Sequence, residues 1–520
     1  MKNKVIKSLF VISAATTLLG SVGCNKLEDF GDTNVRSDAS TQPTTVNLIT
    51  SAETSVPNLF SSTISGIRGS LYSQQWAETQ YTDVSLYGNP QLDFSGTYAG
   101  PLMDLQKVID LNTDPATKSG FNVVGTVTNP LGSNGNQIGI AKILKVYYLW
   151  TLTDRWGDIP YSEALKGAAD LTPKYDLQSD IYVQMLTDLK DAIAAFDGGN
   201  TVKGDVFYSG DAAKWKKLAN SLRMLIALRM SKVYPNAGGL AATEFSAASD
   251  DANGAILTNA DNLKIVYNGS TALETNVFYS ALNGRKDYAF SKTLGDILTN
   301  MSDARRTAYG TTGAAFPYGL ERNDAVAFDG SVSGVYAQPI NTTFRTTSSP
   351  ISVVPAAYVL LAKAEAAQRG WISGSAETFY TAGVTASFDQ WGMASSAAAY
   401  LAGTAANFTN GTGGGNNIGD DATYHAVVGA SANTSTALQR IQLQRYLASF
   451  GDGLQAWCEW RRTGVPDLKP TAYGVNTPRE IPRRLTYGTG EYAANPDNVA
   501  EAASRLSGGD KMNSRMWWDQ

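Results

Sequence analysis

"GDAAKWKKLANSLRMLIALRMSK", residues 210–232, reads as one helix with a start, a face to bury and a face to expose. Asp211 stands ahead of the first periodic residue, where a short acceptor side chain takes up the backbone N–H groups that a helix start leaves unpaired. Trp215, Leu218, Leu222, Leu225 and Ile226 then recur every three or four residues, an apolar stripe that needs neighbouring helices to cover it. Upstream, "SDIYVQMLTDLKDAIAAF" repeats the pattern with Ile181, Met185, Leu189, Ile193 and Phe196, leaving Asp188, Lys190 and Asp191 facing outward. "NQIGIAKILKVYYLWTLTDRW", "PAAYVLLAKAEAAQRGW" and "STALQRIQLQRYLASFGDGLQAWCEWRRTG" read as further amphipathic helices. No strong internal repeat is visible. The fold class expected from the periodicity is all-α with extensive irregular loops, whose helix pairs could stack as a tetratricopeptide-like helix-pair scaffold. The loops span 254–288, 305–350 and 401–435, are dense in Gly, Asn, Thr and Ser, and are too long to be connectors alone.

The N-terminus has a different character. Lys2, Lys4 and Lys7 precede an apolar run from Leu9 to Leu19, too short for a spanning helix, so residues 1–23 read as a signal peptide. Ser21, Val22 and Gly23 lead directly into Cys24, the order of a lipoprotein signal, with Ser21 in place of the usual leucine. Cys24 is expected to carry the lipid anchor, at about 0.8 kcal/mol per buried methylene of acyl chain. The alternative is ordinary secretion, with Cys24 a thiol or paired to Cys458; acylation accounts more simply for both cysteines. Residues 24–44 are polar and rich in turn formers, a flexible tether, and no composition shift divides residues 45–520, which are expected to form a single ligand-binding domain.

Composition excludes several functions. Forty-two basic residues against forty-seven acidic ones, with no basic block, argue against nucleic acid as a partner. The one histidine, His425, lies in a Gly/Asn/Thr-rich segment, which leaves no basis for His-based metal sites or Ser-His-Asp triads. No metal or other cofactor is expected. Asp154, Asp158 and Glu163 in "TDRWGDIPYSEAL" have the residue types of a glycosidase pair. The structural reading is stronger: Trp156, Pro160 and Tyr161 pack a helix end while Asp158 satisfies loose backbone donors. Trp457 and Trp460 are expected in the core, Glu459, Arg461 and Arg462 in local ion pairs, and Arg483 with Arg484 as a clamp on the C-terminal segment.

"LTDRWGDIPYSEAL" (152–165), "YSGDAAKWKKLANSLRMLIALRMS" (208–231), "LLAKAEAAQRGW" (360–371) and "AWCEWRRTGVPDL" (456–468) resemble the SusD/RagB family of outer-membrane lipoproteins. The ending "IPRRLTYGTGEYAANPDNVAEAA" with "MWWD" (516–519) looks like the closing pattern of its SusD-like subgroup. The resemblance implies four tetratricopeptide-like helix pairs cradling a loop-rich part, no catalytic residues, and a TonB-dependent, SusC-like transporter as partner. It also implies a glycan or peptide ligand captured at the outer face of the outer membrane, where Lys26, Glu28 and Asp29 look like the family's export signal.

A sugar ring lays its C–H face on an aromatic ring while its hydroxyls seek amides, carboxylates or Arg. Candidates are therefore aromatics in polar context outside the helical stripes, with polar side chains between them. "QQWAETQYTDVSLYGNPQLDFSGTY" offers Trp76, Tyr81, Tyr87 and Tyr98 with Asn89, Gln91 and Asp93. "NVFYSALNGRKDYAF" adds Tyr279, Asn283, Arg285, Asp287 and Tyr288, and "AAFPYGLERND" adds Phe316 and Tyr318. For any one of these rings, local loop packing is the competing explanation. Three functions stay open on sequence: a glycan- or nutrient-binding surface lipoprotein, a carboxylate-dependent glycoside hydrolase, and a structural or adhesive lipoprotein.

Overall fold

The structure is a computed structural model that describes residues 44–61, 66–118, 123–124, 127–128, 130–271, 274–332, 335–403, 406, 408 and 436–520. The expected signal peptide, Cys24, the export signal at Lys26, Glu28 and Asp29, the tether up to residue 43 and His425 lie outside the described residues. Thr45–Gln520 forms one compact unit. Among the described residues no helix is long and apolar enough to cross a membrane.

The principal helices are α1 (Thr45–Ser55), α2 (Gly66–Tyr72), α3 (Met103–Thr113), α4 (Asn134–Trp156), α5 (Gln178–Ala195), α6 (Ala212–Arg229), α7 (Leu240–Ser249), α8 (Ala356–Gln368), α9 (Ala376–Gln390), α10 (Thr436–Ala448) and α11 (Gly453–Thr463). Four consecutive pairs pack together: α4 with α5, α6 with α7, α8 with α9, and α10 with α11. The pairs join in series through α5–α6, α6–α8 and α8–α10, while α1 and α3 cover α4. The local reasons are those the sequence announces. Asp211 accepts from the N–H groups of Ala213 and Lys214 at the start of α6, and Trp215, Leu218, Leu222, Leu225 and Ile226 are all buried. In α5, Ile181, Met185 and Leu189 are buried, while Ile193 and Phe196 are half-buried near its end.

Two features lock the helices together. Backbones of α2 and α11 meet so closely that a Cβ on Gly69 would lie 2.4 Å from the Gly453 carbonyl carbon, which only glycine permits. The second is a buried charge network with a member from every pair. Arg229 of α6 reaches Asp154 of α4 at 3.5 Å and Glu459 of α11 at 3.1 Å. Arg445 of α10 bonds Glu459 at 2.8 Å, and Arg462 of α11 bonds Glu365 of α8 and Glu459 at 2.7 and 2.8 Å. The expectation of local pairs is corrected here: Glu459 to Arg462 is local, but the other partners are distant in sequence. Among the described residues Arg461 makes no ion pair, and instead lies 3.7 Å over the Trp457 ring and donates to the Asp154 carbonyl at 2.7 Å. Three guanidinium groups thus face three carboxylates out of water, where a charge is tolerated only when paired.

The C-terminal segment closes over one end of α4. Arg483 and Arg484 both donate backbone N–H groups to the Met512 carbonyl, at 2.7 and 3.1 Å, and the Arg484 guanidinium donates to the Trp156 carbonyl at 2.9 Å. Trp156 is buried beneath this clamp, and Asp158 accepts from the Gln178 N–H at 2.8 Å.

Short strands occur where the sequence shows no period of two, because three or four residues are too few to display one. β1 (Trp76–Glu78) pairs antiparallel with β3 (Tyr288–Phe290), in register Trp76 to Phe290 and Glu78 to Tyr288. β2 (Leu263–Ile265) pairs antiparallel with β4 (Ile351–Val354).

Candidate functional site

The β1–β3 ribbon draws the three aromatic stretches toward one place. Phe316 extends the ribbon, its N–H donating to the Phe290 carbonyl at 2.9 Å, and its ring sits in a small second core with Ala77, Ala289, Ala325 and Tyr336. Tyr318 packs, half-buried, against both cores.

Convergence brings burial with it, which corrects three of the expected binding rings. Trp76 lies beyond the end of α2 at Tyr72 and is a fully buried strand residue packed on Phe278 and Tyr288 with ring centroids at 6.1 and 5.9 Å. Phe316 is equally inaccessible. Tyr87 occupies the left-handed backbone region at φ 64°, and its hydroxyl accepts from the Thr471 N–H at 3.1 Å. Its loop is held there by the Val475 N–H donating to the Leu86 carbonyl at 2.8 Å. These rings fasten loops to the scaffold.

Tyr81 is different. At 58 % exposure it is the most exposed aromatic side chain among the described residues, with the Arg322 guanidinium 5.6 Å from its ring centroid. The backbone beneath it is pinned: the Thr79 N–H donates to the Asp287 carbonyl at 3.0 Å, and the Ser85 N–H donates to the Glu78 carboxylate at 2.7 Å. Burial pushes the Glu78 carboxyl up to about 7, against the opposing pull of the Ser85 bond and Arg68. Around the same ribbon, Arg285 and Asp287 form an ion pair at 2.5 Å, and Tyr279 and Tyr288 are half-buried.

Asn89, Asp93 and Tyr98 turn toward the end of α4 instead. Asn89 accepts from the Thr486 hydroxyl at 2.8 Å, the Tyr98 hydroxyl donates to the Pro160 carbonyl, and Asp93 caps its own turn through the Ser95 N–H at 3.1 Å. Asp93 also borders a hollow of about 480 Å³ beside Arg155 and Trp156. The carboxylates of a hydrolytic reading are each engaged: Asp154 with Arg229, Asp158 with Arg505 at 2.7 Å, and Glu163 with Lys174 at 3.0 Å.

One cleft lies outside the expected residues altogether. It has a volume of about 290 Å³ and lies between the β2–β4 ribbon, the end of α9 and the 340–350 loop, with Trp391 and Phe344 among its aromatic walls. Both satisfy the criterion used above, being aromatics in polar context ("FDQWGM", "NTTFRTT") just outside a helical stripe. Among the described residues no group of His, Cys, Asp and Glu side chains is arranged to hold a metal ion.

The model of the family described as "Starch-binding associating with outer membrane" matches residues 37–488. Among solved structures, the chain is similar to a chitin-binding protein at 27 % identity and TM-score 0.70, covering 91 % of this chain and 99 % of that one. It is similar to a chitin-binding SusD homologue from Flavobacterium johnsoniae at 25 % identity and TM-score 0.73, covering 91 % and 98 %. A SusD homologue from Bacteroides fragilis NCTC 9343 matches at 25 % identity and TM-score 0.72, over 92 % and 100 % of the two chains. Among curated protein sequences, none matches. The stacked helix pairs, the loop-borne aromatics and a family match across most of the chain lead to one assignment: this protein belongs to the SusD-like_2 family of outer-membrane-associated binding proteins.

Proposed function

We propose that this protein is a non-catalytic, glycan-binding lipoprotein that captures oligosaccharide at the outer face of the outer membrane and passes it to a TonB-dependent, SusC-like transporter. Residues 1–23 are removed on export, Cys24 carries the acyl chains, residues 24–44 form the tether, and residues 45–520 bind ligand. The observation that carries this reading is Tyr81, whose ring is left in solvent on a loop that buried groups hold still. A large ring gains nothing for folding by standing exposed, but it supplies the flat apolar surface that a pyranose stacks on. Arg285 and Asp287 immediately precede the ribbon strand that begins at Tyr288, and with Arg322 beside the ring they are the polar groups this reading assigns to the ligand. Similarity to chitin-binding relatives makes β-linked N-acetylglucosamine polymers the first ligand to try. The competing hydrolase reading needs two free carboxylates flanking a bond, and Asp154, Asp158 and Glu163 are committed to structural partners.

The test is a pull-down of the mature domain on insoluble chitin and starch, with and without the Tyr81→Ala exchange, coupled to a reducing-sugar assay. Retention on one polymer, weakened by the exchange and with no sugar released, is expected. Sugar release, or retention that ignores Tyr81, would count against the reading.

A further inference from the structure

The cleft beside Trp391 has rigid walls and uncommitted polar groups. The Trp391 ring is clasped by Tyr309, Phe344 and Phe450, with centroids at 5.0, 5.3 and 5.8 Å, and only 8 % of the residue is exposed. Its indole N–H is buried and lacks a hydrogen-bond partner among the described residues. Phe344 stands half-exposed against it. The polar side is also held in place. Asn262 accepts from the Ala356 N–H at 2.7 Å and donates to Asn259 at 3.1 Å, and Asn259 in turn donates to one carboxylate oxygen of Asp389 at 2.8 Å. Among the described residues, the second Asp389 oxygen is unspent. Among the described residues, Lys264, Gln390, Thr343 and Ser352 make no side-chain hydrogen bond or ion pair, and Lys264 is not within salt-bridge distance of Asp389, although all of them line the cleft.

We infer that this cleft is a separate carbohydrate site that takes one neutral pyranose residue. Its volume, about 290 Å³, stands at the lower end of the range for small-molecule pockets, which suits one ring rather than a chain. One cation and one carboxylate cancel, so an ion of either sign gains at one group and is repelled at the other, whereas hydroxyls can accept from Lys264 and donate to Asp389. The neutral hydroxyl and amide groups outnumber the charges, which favours a polyol over a zwitterion such as a free amino acid. The Phe344 ring offers the apolar wall for the C–H face. This inference is independent of the Tyr81 reading.

Saturation-transfer NMR and calorimetric titration of the mature protein would use the methyl glycosides of glucose and N-acetylglucosamine, with phenylalanine as the zwitterionic probe. Saturable binding of at least one glycoside is expected, weakened about 2- to 13-fold by Phe344→Ala through loss of ring contact. Lys264→Ala and Asp389→Asn should weaken it also, and Leu171→Ala, at an exposed position that does not line the cleft, should leave it unchanged. Melting curves of each variant confirm folding, and Lys264→Ala, a half-exposed position, keeps the test valid if Phe344→Ala melts early. No saturable glycoside binding, binding lost only in Tyr81→Ala, or tighter binding of phenylalanine would each overturn the inference. If polymer retention fails while monosaccharide binding tracks the cleft variants, the Tyr81 reading falls and the cleft stands.

Discussion

Where the four helix pairs meet, Asp154, Glu365 and Glu459 face Arg229, Arg445 and Arg462, and each of these charges has an opposite partner. At the cleft, Lys264 and one oxygen of Asp389 have none among the described residues, although ring-on-ring packing holds the walls. Both regions place polar groups on rigid elements, so rigidity does not separate scaffold from site. What separates them is whether the hydrogen-bonding capacity is spent. In the network, protein partners fill it and the groups bind one another; around the cleft it is left over for something that is not protein.

The largest effect should come from breaking the network. Glu365→Gln takes a charge from between Arg462, Arg369 and Arg445 and leaves buried guanidiniums short of a partner, at a cost of about 3–5 kcal/mol in urea denaturation. Acid probes the same carboxyl: burial alone would raise it, but Arg462, Arg369 and Arg445 outweigh burial and hold it at about 2. Its contribution is therefore present above the unfolded value of 4.5 and is lost as the pH falls from 4.5 toward 2. Glu365→Gln should remove that part of the acid transition.

Next come the buried rings. Trp457→Ala should cost about 3–5 kcal/mol, and Tyr87→Ala, in the same loop as Tyr81, roughly 3 kcal/mol, since both remove close-packed aromatic volume. Thermal melts of the pair would check this, and a Tyr87→Ala melt equal to wild type would put that ring back among binding candidates.

Glu78 and Asp452 sharpen the contrast in the opposite direction, since burial pushes each carboxyl up to about 7. Between their unfolded values of 4.5 and 3.8 and that pH, the folded chain holds protons that the unfolded chain has released, so stability falls as pH rises through the window. Glu78→Gln keeps an acceptor for the Ser85 N–H and should raise stability by about 1–3 kcal/mol at pH 8, with little change at pH 4.5. Denaturation midpoints at the two pH values decide it.

The smallest effect on folding is expected at the surface. Tyr81→Ala should move stability by no more than about 0.5 kcal/mol, while weakening glycan binding by about five- to thirty-fold. Melts and calorimetry on one preparation test both halves.

Sequence made the helices legible because their causes are local: Asp211 caps within its own turn, and the stripe through Trp215 depends on spacing alone. The pairing of charges was not legible, because Arg229 and Glu459 stand 230 residues apart and nothing near either names the other. Tyr81 and Tyr87 show the limit for the site. Both are tyrosines in a polar loop, yet Tyr87 is covered by a segment whose Thr471 lies 384 residues away, while Tyr81 is left in solvent. Local composition identifies a ring that is free of a helix stripe; only the path of distant chain decides whether something else buries it. Trp391 shows the same limit, since nothing in "FDQWGM" names the Phe344 and Phe450 rings that pack on it and make it a cleft wall.

Cys458 turns the scaffold into its own reporter. Burial pushes its thiol up to about 12 despite the nearby Arg461 and Arg229, so at neutral pH it is neither ionised nor reachable. In a soluble form lacking Cys24 it is the sole sulfhydryl of the chain. Alkylation of that sulfhydryl can then proceed only through excursions that open α11, and its rate in native buffer counts them without any substitution. The same silence leaves the surface free for tagging: a cysteine introduced at an exposed position such as Leu171 would take a fluorophore alone, against a dark background.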